Sequence, residues 1–410
     1  MKNREYKNVI WNTVGTVINS FSSLIYLIIV TRIGGIDISG VFSFCFSFSL
    51  TLYTFANLGN RIFEVSDKTL FPDSDYLTLK FFTCLISMAV ALVFALIMGY
   101  ESIKIFLIMI FMLVRSIEAM SDTFYAVFQK NDRLDLVGIS YFLKNILCFI
   151  VFFIAYISTR KIILSAIALL LATLLVYLLF DRRLVNGFEK IRISFNIKSV
   201  FALFKNILNF ILFNLLTMVI ANVPRIIVDL YYTDSELGVF GILIMIPTIV
   251  ILLGQLVIQP CLNGMSENFH GNNFKNISAS VKNMLLLITA VAVPTTLAAY
   301  FIGPFALKLL YGIDLSGYKL SIALLVIAGM FNCYAAMLST VLTIIRKTGI
   351  QLIVYTSVFI AETVIMAIIL RFVSFSIVFP IYLGIMILQF AFFLVCYYSL
   401  FVRRYVHAEN

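Results

Sequence analysis

The sequence predicts an all-α polytopic membrane protein whose twelve transmembrane helices form two pseudo-symmetric six-helix bundles. Three observations carry that reading. Of 410 residues, 62% are apolar and only 12% charged; a soluble domain has about 25% charged residues, so this chain cannot cover a soluble fold. Its mean hydropathy is +1.05. The apolar residues come in continuous runs of membrane-crossing length rather than in alternation, so helices and not barrel strands are expected. The longest polar stretch, from Asp181 to about Ile197, leaves six runs on either side.

In order, the runs cover about 8–33, 37–60, 77–99, 102–129, 135–158, 162–180, 204–225, 236–262, 280–303, 318–345, 350–371 and 375–401. The first is too long for the apolar part of a signal peptide and has no small-residue cleavage site, so it is expected to be a true span. The expected organisation is an N-terminal lobe over 1–180, a basic cytoplasmic linker over 181–199 and a C-terminal lobe over 200–410. Six of the seven prolines lie in the second half, and Pro247 and Pro294 fall well inside spans. Each removes a backbone hydrogen bond there, giving either a static kink or a helix that bends in use.

The net charge of +10 reads as orientation. With the N-terminus placed inside, cytoplasmic segments hold 20 Lys and Arg against 8 in the outer ones, and Arg115 and Lys144 lie within spans. This positive-inside bias puts both termini in the cytoplasm. An even number of spans per half gives the halves the same orientation, as in parallel repeats. A weak echo supports a repeat: Arg32 precedes Ser39-Gly40-Val41-Phe42, and Arg225 precedes Leu237-Gly238-Val239-Phe240, 198 residues on.

The basic excess is not gathered into a tail or a basic helix, so no nucleic-acid partner is expected. Six scattered cysteines without a C-x-x-C pair read as buried hydrophobes. The two histidines, His270 and His407, suggest no metal site. Short outer loops leave no room for a catalytic domain, so no enzyme is expected.

Charges at bilayer depth are expensive and face a partner or a cavity. Arg115, Glu118 and Asp122 share one face of the fourth span by their spacing. The fifth span brings Lys144 to a similar depth as Asp122, which predicts an Asp122–Lys144 contact beside a local Arg115–Glu118 pair. These charges either hold helices together or line a watery cavity for an anionic substrate. Glu362, mid-span with no obvious partner, either relays a proton or sodium ion or makes a structural hydrogen bond. Arg32, Arg61 and Arg225 sit at span ends, where they either snorkel or offer planar donors to a phosphate.

Several stretches resemble the Wzx-type bacterial polysaccharide flippases of the multidrug/oligosaccharidyl-lipid/polysaccharide exporter (MOP) superfamily. The first two spans do so through Asn12, Gly15, Asn19, Arg32-Ile33-Gly34-Gly35 and Gly40-Val41-Phe42. Gly59-Asn60-Arg61-Ile62-Phe63-Glu64-Val65-Ser66-Asp67 resembles the family's Arg-x-x-Gln-Val-Ser-Asp pattern, with Glu64 in place of Gln. Further pieces are Glu118-Ala119, Asp122, Gln129, Arg133-Leu134-Asp135 and Gly138; then Asn222-Val223-Pro224-Arg225 with Asp229, Pro247 and Gln259-Pro260.

The resemblance implies two bundles around a central cationic cavity, with no cofactor. The implied cargo is an undecaprenyl-pyrophosphate-linked oligosaccharide of O-antigen, lipopolysaccharide or capsule synthesis. It would cross from the cytoplasmic to the outer leaflet of the bacterial inner membrane by alternating access, with proton or sodium coupling as the implied drive. Arg32, Arg61, Arg115, Lys144 and Arg225 would meet the cargo; Glu118, Asp122, Asp229 and Glu362 would serve coupling or structure. Implied partners are membrane lipids and the polysaccharide polymerase and chain-length machinery, with the chain itself a monomer. The alternative is a drug/cation antiporter of the same superfamily, which would favour a cavity dominated by acids. A polymerase or acyltransferase would need a large outer loop or a membrane histidine, and the sequence has neither.

Overall fold

The computed structural model describes residues 2–58, 61–66, 71–194 and 196–406. Gly59, Asn60, Asp67 and His407 lie outside the described residues, as do the side chains of Gln259, Pro260 and His270. Every described element is helical.

The first two helices, α1 (Lys2–Ser20) and α2 (Ser22–Ala56), belong to one apolar stretch of 53 residues from Arg4 to Ala56. At 1.5 Å per residue it would extend about 80 Å, far beyond a ~30 Å hydrocarbon core. It breaks at Gly35, whose φ of 83° and ψ of −178° interrupt α2. Only a residue without Cβ adopts that backbone freely. The first crossing therefore ends at Gly34 and the second starts at Ile36.

The chain continues through a short α3 (Ile62–Ser66), α4 (Asp73–Ile97), α5 (Ser102–Lys130), α6 (Leu134–Thr159) and α7 (Ile162–Val176). A wide turn over Tyr177–Asp181 leads to α8 (Arg182–Val185). Next come α9 (Ile197–Tyr231), α10 (Asp234–Leu243), α11 (Met245–His270), α12 (Phe274–Tyr311), α13 (Lys319–Ile344), α14 (Thr348–Ile369) and α15 (Val378–Tyr397). Ten described stretches are long and apolar enough to cross a membrane. Arg4–Ala56 accounts for two crossings, and α5, with its five charged residues, completes the twelve.

The chain forms two compact units, Met1–Asn222 and Val223–Asn410. The boundary falls inside α9, one residue before Pro224. The start of α9 belongs to the first unit: Leu203, Ile207 and Ile211 pack with Leu58, Tyr76 and Leu79. Residues 181–194 also run along that unit. Val185 is buried against Leu77, Phe124 and Phe128, and Ser194 N donates to Thr78 Oγ1 at 2.6 Å.

Within the first unit, α1 lies backbone to backbone on α6. A Cβ on Gly15 would sit 2.3 Å from Gly138 O, and one on Gly138 would sit 2.0 Å from Trp11 O. Such small-residue contacts are how membrane helices approach closely when water supplies no hydrophobic drive between them. Asn8 Nδ2 donates to Asp132 O at 2.8 Å, and Asn145 Nδ2 donates to Asn19 Oδ1 at 3.1 Å. The two Gly-Val-Phe triplets each bury their phenylalanine within their own unit, against different neighbours. Phe42 is buried edge-on against Phe111 at 5.5 Å. Phe240 is buried and stacked on Phe379 at 6.2 Å.

Candidate functional site

Two ion-pair groups, one helical turn apart on α5, occupy the interior of the first unit. In the upper group Glu118 bridges two cations. Arg115 Nη1 donates to Glu118 Oε2 at 2.6 Å, and Lys144 Nζ on α6 donates to Glu118 Oε1 at 2.8 Å. The Arg115 guanidinium lies over the Phe46 ring at 4.5 Å, and the Lys144 ammonium is 5.3 Å from the centre of Tyr141. These faces stabilise the cations as the rings' negative quadrupoles allow.

In the second group Asp122 is the hub. Lys80 Nζ on α4 donates to Asp122 Oδ2 at 3.3 Å and to Glu64 Oε2 on α3 at 3.0 Å. Arg61 Nη1 stands 3.8 Å from Asp122 Oδ1, too far for a hydrogen bond. That nitrogen is buried and has no hydrogen-bond partner among the described residues. Tyr53 on α2 and Tyr141 on α6 lie within electrostatic range of both Glu118 and Asp122. The whole cluster sets four cations, Arg61, Lys80, Arg115 and Lys144, against three carboxylates, Glu64, Glu118 and Asp122.

The expected Arg115–Glu118 pair is present, but the expected Asp122–Lys144 contact is not. Lys144 lies between the levels of Asp122 and Glu118 and takes the carboxylate one turn further from the α5–α6 turn. Asp122 is already held from the other side by Lys80. Lys80, counted from sequence among the cytoplasmic cations, has a side chain only 1% exposed. The signal for it was in the sequence, because the run 77–99 contains it. Glu64, the departure from the family's Gln, is the second half of that buried pair. Burial pushes its carboxyl up to about 7, against the pull of Lys80.

Asp181, read as the first residue of a solvated linker, is also buried. Ser140 Oγ and Tyr125 Oη donate to it at 2.5 and 3.2 Å. No sequence pattern links those three residues. Arg32 is exposed at the far end of the first unit, where Arg160 Nη1 donates to the neighbouring Ile33 O at 3.1 Å. It does not join the cluster.

In the second unit Arg225 is buried on α9, with Asp229 half-buried one turn later. Glu362 on α14 is fully buried, and neither of its carboxylate oxygens has a hydrogen-bond partner among the described residues. Tyr382 on α15 lies within electrostatic range of both Arg225 and Glu362. Sequence reasoning had no means of finding Tyr382.

No protein-family model matches the chain. A capsular polysaccharide biosynthesis protein, CapF of Staphylococcus aureus, is 20% identical over 316 residues, covering 75% of this chain and 77% of that one. Among solved structures, an inward-facing multidrug resistance MATE transporter of the MOP superfamily superposes with a TM-score of 0.69 at 12% identity, covering 95% and 96% of the two chains. The lipid II flippase MurJ, in an inward closed conformation, gives 0.67 at 14% identity, covering 94% of this chain and 87% of MurJ.

The fold is therefore that of the MOP-superfamily membrane transporters. In fold the chain is similar both to a multidrug resistance transporter and to a lipid II flippase, and in sequence to a capsular polysaccharide biosynthesis protein. This agrees with the resemblance read from its motifs.

Proposed function

We propose that the protein flips an undecaprenyl-pyrophosphate-linked oligosaccharide from the cytoplasmic to the outer leaflet by alternating access. The observation that carries this reading is the cationic excess of the first unit's interior. Arg61 is the key member: a buried guanidinium nitrogen without a hydrogen-bond partner among the described residues is a donor held ready for an anion. A pyrophosphate supplies the acceptors, and guanidinium matches them in pairs. The relation to a capsule biosynthesis protein supports a polysaccharide cargo.

In this reading Arg61, Arg115 and Lys144 meet the head group, while Glu118 and Asp122 hold those cations in place. Arg32 and Arg225, with Asp229, guard the path, and Glu362 carries the coupling proton. The two lobes would be the two compact units, which divide inside α9 rather than at the expected 181–199 linker. Both termini would face the cytoplasm of a bacterium, and the protein would act as a monomer, handing cargo to polymerase and chain-length machinery. A drug/cation antiporter would use the acids instead, but the three carboxylates of the cluster are all answered by cations.

The test is genetic and chemical together. Arg61→Ala and Arg115→Ala should each stop surface polysaccharide while membrane protein level stays normal. Normal polymer from both variants would refute the reading.

A further inference from the structure

A second basic site lies away from the cluster, at the start of α1. A surface cavity of about 640 Å³ is bounded by Arg4, Lys7, Ile10 and Trp11 from α1 and by Arg133 and Asp135 at the head of α6. Arg133 and Asp135 belong to a motif piece, but the cargo reading gives the cavity no part. The one acid among its described lining residues is answered: Arg133 grips both Asp135 oxygens, at 2.8 and 3.1 Å. Arg4 spends one donor on Asn131 O at 3.1 Å, and Lys7, which attracts Asp135 from a distance, makes no ion pair or hydrogen bond with the described residues. Two cations with donors to spare therefore face one space.

That space continues into an apolar track. Ile10, Val14 and Val17 follow on α1 at spacings of four and three, so they share a face, and they are 57%, 38% and 49% exposed. Trp11, the chain's one tryptophan, lines the same cavity as the cations and Ile10, braced edge-on by Phe142 at 5.7 Å. Tryptophan at such a junction marks the head-group level of a bilayer. Cations at that level with an apolar rail beneath have the shape of an anionic lipid, head group at Arg4 and Lys7 and acyl chain along the rail. Basic residues beside a membrane helix recognise anionic lipids by this charge.

We propose that this cavity binds the phosphate head group of an anionic glycerophospholipid. The proposal does not depend on the cargo. The test is native mass spectrometry of the purified full chain, offered phosphatidylglycerol, phosphatidylethanolamine and a polyprenyl pyrophosphate in turn. Wild type should hold phosphatidylglycerol over phosphatidylethanolamine. The R4A/K7A variant should bind phosphatidylglycerol roughly thirtyfold more weakly, about fivefold per cation near the head-group level. R4Q/K7Q, which keeps polar length without charge, should show the same loss, and R403A/R404A, which removes equal charge elsewhere, should show none. Unchanged phosphatidylglycerol binding in the two α1 variants, or an equal loss in R403A/R404A, overturns the site. Retention of polyprenyl pyrophosphate without phosphatidylglycerol also overturns it, and would make the cavity part of the cargo path.

Discussion

Glu64 sets the charge of the first-unit cluster. Its carboxyl is raised from 4.5 to about 7 because burial outweighs the attraction of Lys80. A proton is thus held more tightly in the folded state. The stability it contributes is complete below the unfolded value and is lost as pH rises through about 7. Below that pH the four cations face two charged carboxylates instead of three, so an anion should bind better in acid. The ratio of pyrophosphate-probe binding at roughly pH 6 to that at pH 8 is expected to be larger for wild type than for Glu64→Gln, which leaves only the probe's own titration. Equal pH dependence in the two would remove Glu64 from this role. Lys80 gives a sharper stability test. Lys80→Met leaves Glu64 and Asp122 buried without their shared cation, a loss of about 3–5 kcal/mol for breaking a buried pair. A thermal midpoint unchanged from wild type would mean that water reaches the pair. At this scale the sequence was legible where charges share a helix: the spacing from Arg115 to Asp122 placed them on one face correctly. It was not legible where partners come from three helices, as with Lys80, Glu64 and Asp122. Side-chain reach and competition between cations then decide the pairing, as they did in sending Lys144 to Glu118.

Two elements depend on backbone features that composition alone conceals. The α1–α6 contact needs hydrogen at two positions, since a Cβ on Gly138 would lie 2.0 Å from Trp11 O. Gly138→Val should therefore separate the helices, breaking the Asn8–Asp132 and Asn19–Asn145 bonds with them. Detergent size-exclusion profiles should show loss of monodisperse protein, and a wild-type profile would contradict the packing. Gly15 and Gly138 could be quoted from the motif, but their meeting is a tertiary fact that no local pattern reports. The break at Gly35 is different: a 53-residue apolar stretch had to turn, and runs ending at 33 and restarting at 37 bracketed the place. On α9, Pro224 leaves one backbone carbonyl without its helical partner. Pro224→Ala should restore that bond and stiffen α9. Slower transport with normal protein level is the expected outcome, and an unaffected rate would reduce the proline to a static bend.

At the scale of the molecule, chain organisation was the most legible feature. Bilayer thickness fixes the run length and polar connections separate the runs, so twelve crossings follow from physics that acts on every residue alike. Function was legible only in outline, because a few interior charges out of thirty Lys and Arg carry it. Net charge reports orientation, not where an arginine points. Glu362 extends the account to energy coupling: buried without a hydrogen-bond partner among the described residues, it is the proposed proton carrier, and Glu362→Gln should abolish dependence of transport on a pH gradient. The central claim is that the chain moves a lipid-linked oligosaccharide, and its most direct test is reconstitution. Purified protein in liposomes carrying a labelled undecaprenyl-pyrophosphate oligosaccharide in both leaflets should make all of the label accessible to a membrane-impermeant quencher. Arg61→Ala liposomes should leave about half of it protected, the inner-leaflet share expected when no lipid crosses the hydrocarbon core. If wild-type liposomes also leave that half protected, the account is contradicted.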